Sequence, residues 1–223
     1  MPDQAVPQAR DGVDIAVRNT NRIMTCVLRW ISKHWLLVAN ISVGSLIVLP
    51  VMAPILMHFG LTGIGNLIYT LFKPACHQLP ERSFFLFGPQ PVYTYSQLSA
   101  MIGGAVPQRY VGSPDLGYKI AVCERDVAIY GSMLLTGLLF GFYRRLKTLP
   151  LKVFGVLVLP MLVDGFGQLF GFWSSTWQSR VITGGLFGIA CIWLAYPYLQ
   201  QGMQDIYNET LYLLKDMVPP HNA

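Results

Sequence analysis

Residues 35–57, 127–143 and 181–199 each run without a single charged side chain. An apolar run of roughly 17 to 25 residues is long enough to cross the hydrocarbon of a bilayer as a helix. The backbone finds no water to bond there, so a helix is what such a run has to form. Residues 153–172 make a fourth run, interrupted by one charge, Asp164. A shorter run, residues 61–72, is too brief to span and reads as an interfacial or re-entrant helix. Only 12% of the 223 residues are charged, half the usual share of about 25%, so little of the chain is suited to water. These features predict an all-α membrane protein: a bundle of four transmembrane helices with an amphipathic N-terminal helix and an external loop cap.

The cations fix an expected orientation. Arg10, Arg18, Arg22, Arg29 and Lys33 precede the first span, and Arg144, Arg145, Lys147 and Lys152 lie between the second and third. With four spans both groups fall on one side, which the positive-inside rule makes the cytoplasm. Both termini are then cytoplasmic in a multi-pass protein of the cell membrane, and residues 58–126 are external. The net charge of +5 reflects this placement. No basic run interleaved with aromatics is present, which argues against a nucleic-acid partner. The polar first ten residues and the late first apolar run predict no cleavable signal peptide.

The expected organisation is a cytoplasmic segment 1–34, a first span 35–59, an external cap 60–126, a three-helix bundle 127–200 and a cytoplasmic tail 201–223. The first dozen residues read as disordered by composition. In residues 13–33 the cations Arg18, Arg22, Arg29 and Lys33 share one helical face, with Ile23, Met24, Val27, Leu28 and Ile31 on the other, as in a helix lying on a bilayer. Pro50 and Pro54 should kink the first span, and the carbonyls they free need partners, so that span should pack against the cap. Val92-Tyr-Thr-Tyr95 alternates like a short strand. Gly137/Gly141, Gly167/Gly171 and Gly184/Gly188 each place two glycines one turn apart, a pattern for close helix packing.

Chemistry concentrates in Lys73-Pro-Ala-Cys-His-Gln-Leu-Pro-Glu-Arg82, whose two prolines keep a helix from running through. A thiol beside an imidazole is a metal-ligand pair or a reactive pair. Its second half would be Cys123-Glu-Arg-Asp126, which opens the next apolar run. Asp164, with Gln168 one turn on, is the other signal, because a carboxylate inside a span is normally paired or placed in a polar cavity. Arg125 and Arg180 are the cations within reach. The Asp164 group either stitches helices together or carries protons or ions.

Taken together, Cys76-His77-Gln78 with Glu81-Arg82-Ser83-Phe84, Cys123-x-Arg125-Asp126 with Ile129-Tyr130, Pro160-x-x-x-Asp164-Gly165 with Gln168, and Arg180-x-x-Thr183-Gly184 resemble an uncharacterised prokaryotic membrane family, domain of unknown function 2085. The resemblance spans residues 65–200 and implies no reaction. The family's second motif is often Cys-x-Arg-Cys, and here Asp126 stands at its last position. Three thiols and a histidine would resemble a zinc site. This chain offers Cys76, His77, Cys123 and Asp126, a harder donor set.

Two external arrangements follow. In one, Cys76, Cys123 and either His77 or Asp126 hold zinc or another transition metal. In the other, Cys76 and Cys123 form a disulfide that staples the cap. A quinone-coupled thiol oxidoreductase would need a Cys-x-x-Cys pair, which is absent. No catalytic motif is recognised, and the expected role is an accessory or structural subunit of a membrane complex or homo-oligomer, its glycine faces and aromatic loop serving as interfaces. The alternatives are a stand-alone metalloprotein or thiol-redox protein and, below these, a proton or ion transporter built on Asp164.

Overall fold

The computed structural model describes the backbone of residues 6–144 and 146–216, with side chains from residue 19 to residue 215 within that range. Expectations resting on the side chains of Arg10, Arg18 and Arg145 lie outside the described residues. The helix α1 runs over Val6–His58 and is followed by α2, Thr62–Leu71. Then come a short 3-10 turn at Pro80–Arg82, β1 at Phe85–Leu86, α3 at Tyr95–Ile102, β2 at Gly112–Ser113 and β3 at Gly117–Lys119. The chain closes with α4, Glu124–Phe142, α5, Leu151–Leu169, and α6, Trp177–Asp216.

The chain forms two compact units. One comprises residues 1–39 with 197–223, the other residues 40–196. In the first, the Trp35 indole donates to the Gln200 side chain at 3.2 Å, and the Arg29 guanidinium lies 5.7 Å from the centre of the Tyr207 ring. The amphipathic helix expected before the first span is not separate, because α1 passes through Lys33 unbroken. No proline or run of glycines falls between residues 13 and 43, so the change from polar to apolar never coincides with a backbone break. α6 likewise continues past the expected span into the tail, here with Pro197 inside the helix. Of the expected disordered dozen, residues 1–5 lie outside the described set, and α1 begins at Val6.

Among the described residues three helices are long and apolar enough to cross a membrane: Asn19–His58 within α1, Leu151–Leu169, and Trp177–Lys215 within α6. The second expected span, residues 127–143, falls in α4, which does not qualify. Its first turn carries Glu124, Arg125 and Asp126, and what remains is near the lower length limit of about 17 residues. The structure therefore supports several apolar helices of a membrane protein and does not confirm a count of four.

Within residues 40–196 the segment before α4 is folded. Its β-strands form one antiparallel sheet in the order β1-β3-β2, pairing Phe85 with Lys119 and Gly112 with Tyr118. Phe85, Tyr93, Leu98 and Leu116 make one small core. Residues 92–95 are not a strand. Thr94 caps α3 instead, accepting from the Gln97 backbone N–H while the Gln97 side chain accepts from Thr94 N–H. The Thr-x-x-Gln spacing carries this capping box and outweighs two residues of alternation. Phe85 is buried, whereas Phe87 is half exposed and stacks on His58 at 4.2 Å.

The proline-rich turn of α1 docks on this segment. Pro54 has no N–H to offer the Pro50 carbonyl, and the Ala121 N–H takes that acceptor at 3.2 Å. Around this bond Ala53, Ile68, Tyr69, Phe72, Ile120, Ala121 and Val122 form a buried core. The expected contact between the kinked span and the loop segment is thus present, through the carbonyl that the second proline releases.

The three glycine pairs do different work. A Cβ on Gly184 would lie 2.8 Å from the Arg125 carbonyl oxygen, and one on Gly188 would lie 2.5 Å from that of Ile129. This pair lets α6 approach the α4 backbone closely. Gly137 leaves room for Asn40 and Tyr196. Gly167 and Gly171, however, end α5. Gly171 takes φ +74°, Phe172 N–H bonds the Gly167 carbonyl, Gly171 N–H bonds the Gln168 carbonyl, and Trp173 lies where a Gly167 side chain would stand. That is a glycine helix stop. Replacing Gly188 by Val should force α6 off α4 and cost about 1–3 kcal/mol, as overpacking does. Gly185→Ala, with nothing within 4 Å of its Cβ, should be near neutral, and denaturation in detergent compares the two.

Candidate functional site

The loop that carries Cys76 is held from behind. Gln78 is buried and sits at φ 55°, a left-handed conformation that costs a residue with a side chain about 1–3 kcal/mol. Its amide donates to the Tyr69 carbonyl at 2.8 Å. Its own carbonyl accepts from the buried Lys119 ammonium. The Tyr69 hydroxyl in turn donates to the Lys119 carbonyl at 2.5 Å. Burial lowers the Lys119 ammonium to about 8, with the charges of Cys76 and Glu81 acting against that shift. This closed ring of bonds fixes α2, the loop and β3 together, and with them the direction of the Cys76 thiol.

Cys123 is the residue that opens α4, and Asp126 lies in the first turn. The Cys123 thiol donates to Asp126 Oδ2 at 3.1 Å. Donor atoms of Cys76, Cys123 and Asp126 all lie within 4.8 Å of one another. The two stretches, 47 residues apart in sequence, do meet. Both thiols are free and stand side by side without a bond between them. Turned from Asp126 to Cys76, the single Cys123 S–H holds the Cys76 thiol below its usual range, against burial and the Asp126 charge. Giving that bond, together with burial and the same carboxylate, pushes Cys123 up. Cys76 is therefore the readier of the two to ionise.

His77 is exposed and is not among the converging donors. It does line the same cavity, of about 450 Å³, whose wall includes Cys76, Arg82, Cys123, Arg125, Asp126 and Met161. The cavity combines soft and hard donors, cationic side chains and an apolar floor. Such a site can take a metal ion, a small ligand, or both.

Behind it lies the polar group around Asp164. Its carboxylate is paired with Arg125 at 2.5 Å. It also accepts from Ser175 Oγ at 2.6 Å and from Ser179 Oγ at 3.3 Å. Arg180 pairs instead with the fully buried Glu124 at 2.8 Å and donates to the Ser175 carbonyl at 2.6 Å. Gln168, expected to share in the group, is half-buried and is not bonded to Asp164 among the described residues. Ser175 and Ser179 went unread in the sequence. Their spacing of four at the start of a helix, facing an intramembrane acid, is a signal that would have found them. Lys119 and Tyr69 give no such signal, because nothing local distinguishes them.

The motif Cys123-x-Arg125-Asp126 is thus bifunctional. Its outer residues serve the thiol group and its inner ones, Glu124 and Arg125, grip the neighbouring helices. Because the Arg125–Asp164 pair is mostly buried, removing one partner strands the other. Breaking a fully buried pair costs about 3–5 kcal/mol, and somewhat less is expected here for the residual exposure. Arg125→Ala and Asp164→Ala should each destabilise strongly. The double variant should lose less than the sum of the two, which a double-mutant cycle by thermal denaturation measures.

Residues 116–194 match the profile of the family described as "Predicted membrane protein (DUF2085)". The match takes in the Cys123, Asp164 and Arg180 motifs but not Cys76-His77-Gln78, so it is narrower than the resemblance seen in the sequence. The chain is also 29% identical over 154 residues to an uncharacterized protein of Methanocaldococcus jannaschii, covering 66% of this chain and 80% of that one. No solved structure matches. Over the stretch that contains α4, α5 and the first part of α6, the chain is similar to the DUF2085 predicted membrane proteins.

Proposed function

We propose that this is a four-span membrane protein carrying a thiolate metal centre of the zinc-binding kind, with Cys76, Cys123 and Asp126 as ligands. The observation that carries the reading is the convergence of their donor atoms within 4.8 Å. Two sulfurs and a carboxylate oxygen that close need only small side-chain rotations to surround one ion at ordinary Zn–S and Zn–O distances of about 2.3 and 2.0–2.2 Å. The ready ionisation of Cys76 favours binding, since the thiolate is the ligand. Three protein ligands beside an open cavity leave a fourth position for water or a small ligand, with His77 at the rim. The Gln78–Lys119–Tyr69 ring supplies the rigid support that a metal ligand requires.

The transport reading is not favoured. Asp164 is held by Arg125, Ser175 and Ser179, the bonding of a structural link. Lipid accounts for the exposed apolar side chains of the long helices, so they do not by themselves require an accessory-subunit role. The fourth span of the proposal is α4. Two of the three charges in its first turn are neutralised, Glu124 by Arg180 and Arg125 by Asp164, and the third, Asp126, accepts from Cys123. That lowers the cost of placing its charged end at the edge of the bilayer, with residues 127–142 crossing.

Metal analysis with native mass spectrometry of the purified chain tests the centre. The expected result is one divalent ion per chain with both thiols reduced. Cys76→Ser and Cys123→Ser should abolish binding and Asp126→Asn should weaken it, whereas His77→Ala should change affinity by less than about tenfold, below what loss of even a supporting contact can cost. A zinc-treated wild type that holds no ion and carries a Cys76–Cys123 disulfide would replace the metal centre with a covalent staple.

The crossing of α4 is checked separately in intact cells with a membrane-impermeant maleimide, located by peptide mass spectrometry. Gln108→Cys should label and Lys147→Cys should not. Equal labelling of the two would remove α4 from the spans.

A further inference from the structure

Beyond the metal reading, and independent of it, we infer that the cavity binds an amphiphilic oxyanion, a phosphate or carboxylate group on an apolar body, with the Arg82 guanidinium as its receptor. Arg82 ends the 3-10 turn, is half-buried and lines the cavity. Two neighbouring arginines are committed, Arg125 to Asp164 and Arg180 to Glu124. The guanidinium of Arg82 has no hydrogen bond or ion pair among the described residues. Its charge is felt by Glu124, yet that carboxylate gives Oε2 to Arg180, and its buried Oε1 has no partner.

A half-buried guanidinium with no hydrogen bond or ion pair has donors that a ligand or water must meet. Its planar fork matches an oxyanion through two parallel N–H···O bonds. The cavity has the size for such a guest, at about 450 Å³, within the range of about 300–1,000 Å³ typical of small-molecule sites. Leu79, Ile129 and Met161 provide apolar wall for a hydrocarbon body. Of the arginines in the lining, Arg125 is paired with Asp164 and Arg82 has no ion pair among the described residues, while the lining carboxylate, Asp126, already accepts from Cys123. An anionic head on an apolar body satisfies both halves of that lining, and a bare anion satisfies only one.

The test titrates the purified full-length chain in a neutral detergent with hexyl phosphate and with inorganic phosphate, following thermal denaturation and calorimetry. Hexyl phosphate should bind more tightly than inorganic phosphate. Arg82→Gln should weaken hexyl phosphate by about tenfold or more, and Arg82→Lys, which keeps the charge and loses the fork, should fall between. Met161→Phe, which enlarges an apolar side chain of the lining, should weaken hexyl phosphate but not inorganic phosphate. Arg109→Gln removes an exposed cation of the same segment and should leave binding unchanged. Circular dichroism of the unliganded variants shows that each is folded, and Arg82→Lys with Met161→Phe carry the test should Arg82→Gln misfold.

Equal affinity in wild type and the Arg82 variants overturns the proposal. So does a loss in Arg109→Gln as large as in Arg82→Gln, or wild type that ignores hexyl phosphate into the millimolar range. The source of the anion is read from competition in phosphatidylglycerol and phosphatidylcholine nanodiscs. A weaker apparent affinity for hexyl phosphate only in phosphatidylglycerol identifies a lipid headgroup, and equal affinity in both identifies a soluble anion. Repeating the titration after EDTA treatment separates this result from that of the metal centre.

Discussion

Two ion pairs in the first turn of α4 hold the rest of the structure in place. Glu124 and Arg125 are consecutive, and consecutive residues on a helix project about 100° apart. They therefore reach different neighbours, Arg180 of α6 and Asp164 of α5. Neither pair is a cheap source of stability, because four charges have given up most of their water. What they provide is position. With both made, α4 cannot rotate or slide against its neighbours without stranding a charge, and Gly184 and Gly188 let the α6 backbone come close enough for the pairs to form.

That positioning is what presents the thiol site. Cys123 and Asp126 flank the two gripping residues, so the turn that is clamped to the helices also fixes two of the three donors. The third, Cys76, is held by unrelated means. The strained backbone at Gln78 is maintained by bonds to Tyr69 and Lys119, and the whole segment is tied to α1 through the Pro50 carbonyl. Two rigid supports meet at one cavity, a geometry suited to binding because little remains to be ordered when a ligand arrives.

Much of this was legible in the residues, and where it was not the reasons are physical. The ordered motifs contain Cys76, Cys123 and Asp126, whose donor atoms converge, and the lone intramembrane acid pointed to an arginine partner. Helix boundaries were misplaced at Lys33 and Leu199, because polarity can change along a helix without breaking it. Gly167 and Gly171 were misread for a related reason. Two glycines one turn apart fit either a packing face or a helix stop, and only the positive φ of Gly171 with Trp173 folded over Gly167 separates the two. Thr94 and Gln97 lost to a two-residue alternation that carries less free energy than a capping box.

The sequence by itself determined that apolar helices in a membrane must make up most of the chain. Runs of that length leave the backbone no other way to satisfy its hydrogen bonds in lipid, and that requirement is local. It also singled out the thiols and the lone acid as the groups whose surroundings had to be explained. Only the tertiary structure decided that Arg125 rather than Arg180 pairs with Asp164, that His77 stands aside while Cys76, Cys123 and Asp126 converge, and that Arg82 is left without an ion pair among the described residues. Each of those outcomes depends on where distant segments sit to within an ångström or two, a distance set by packing and not by spacing along the chain.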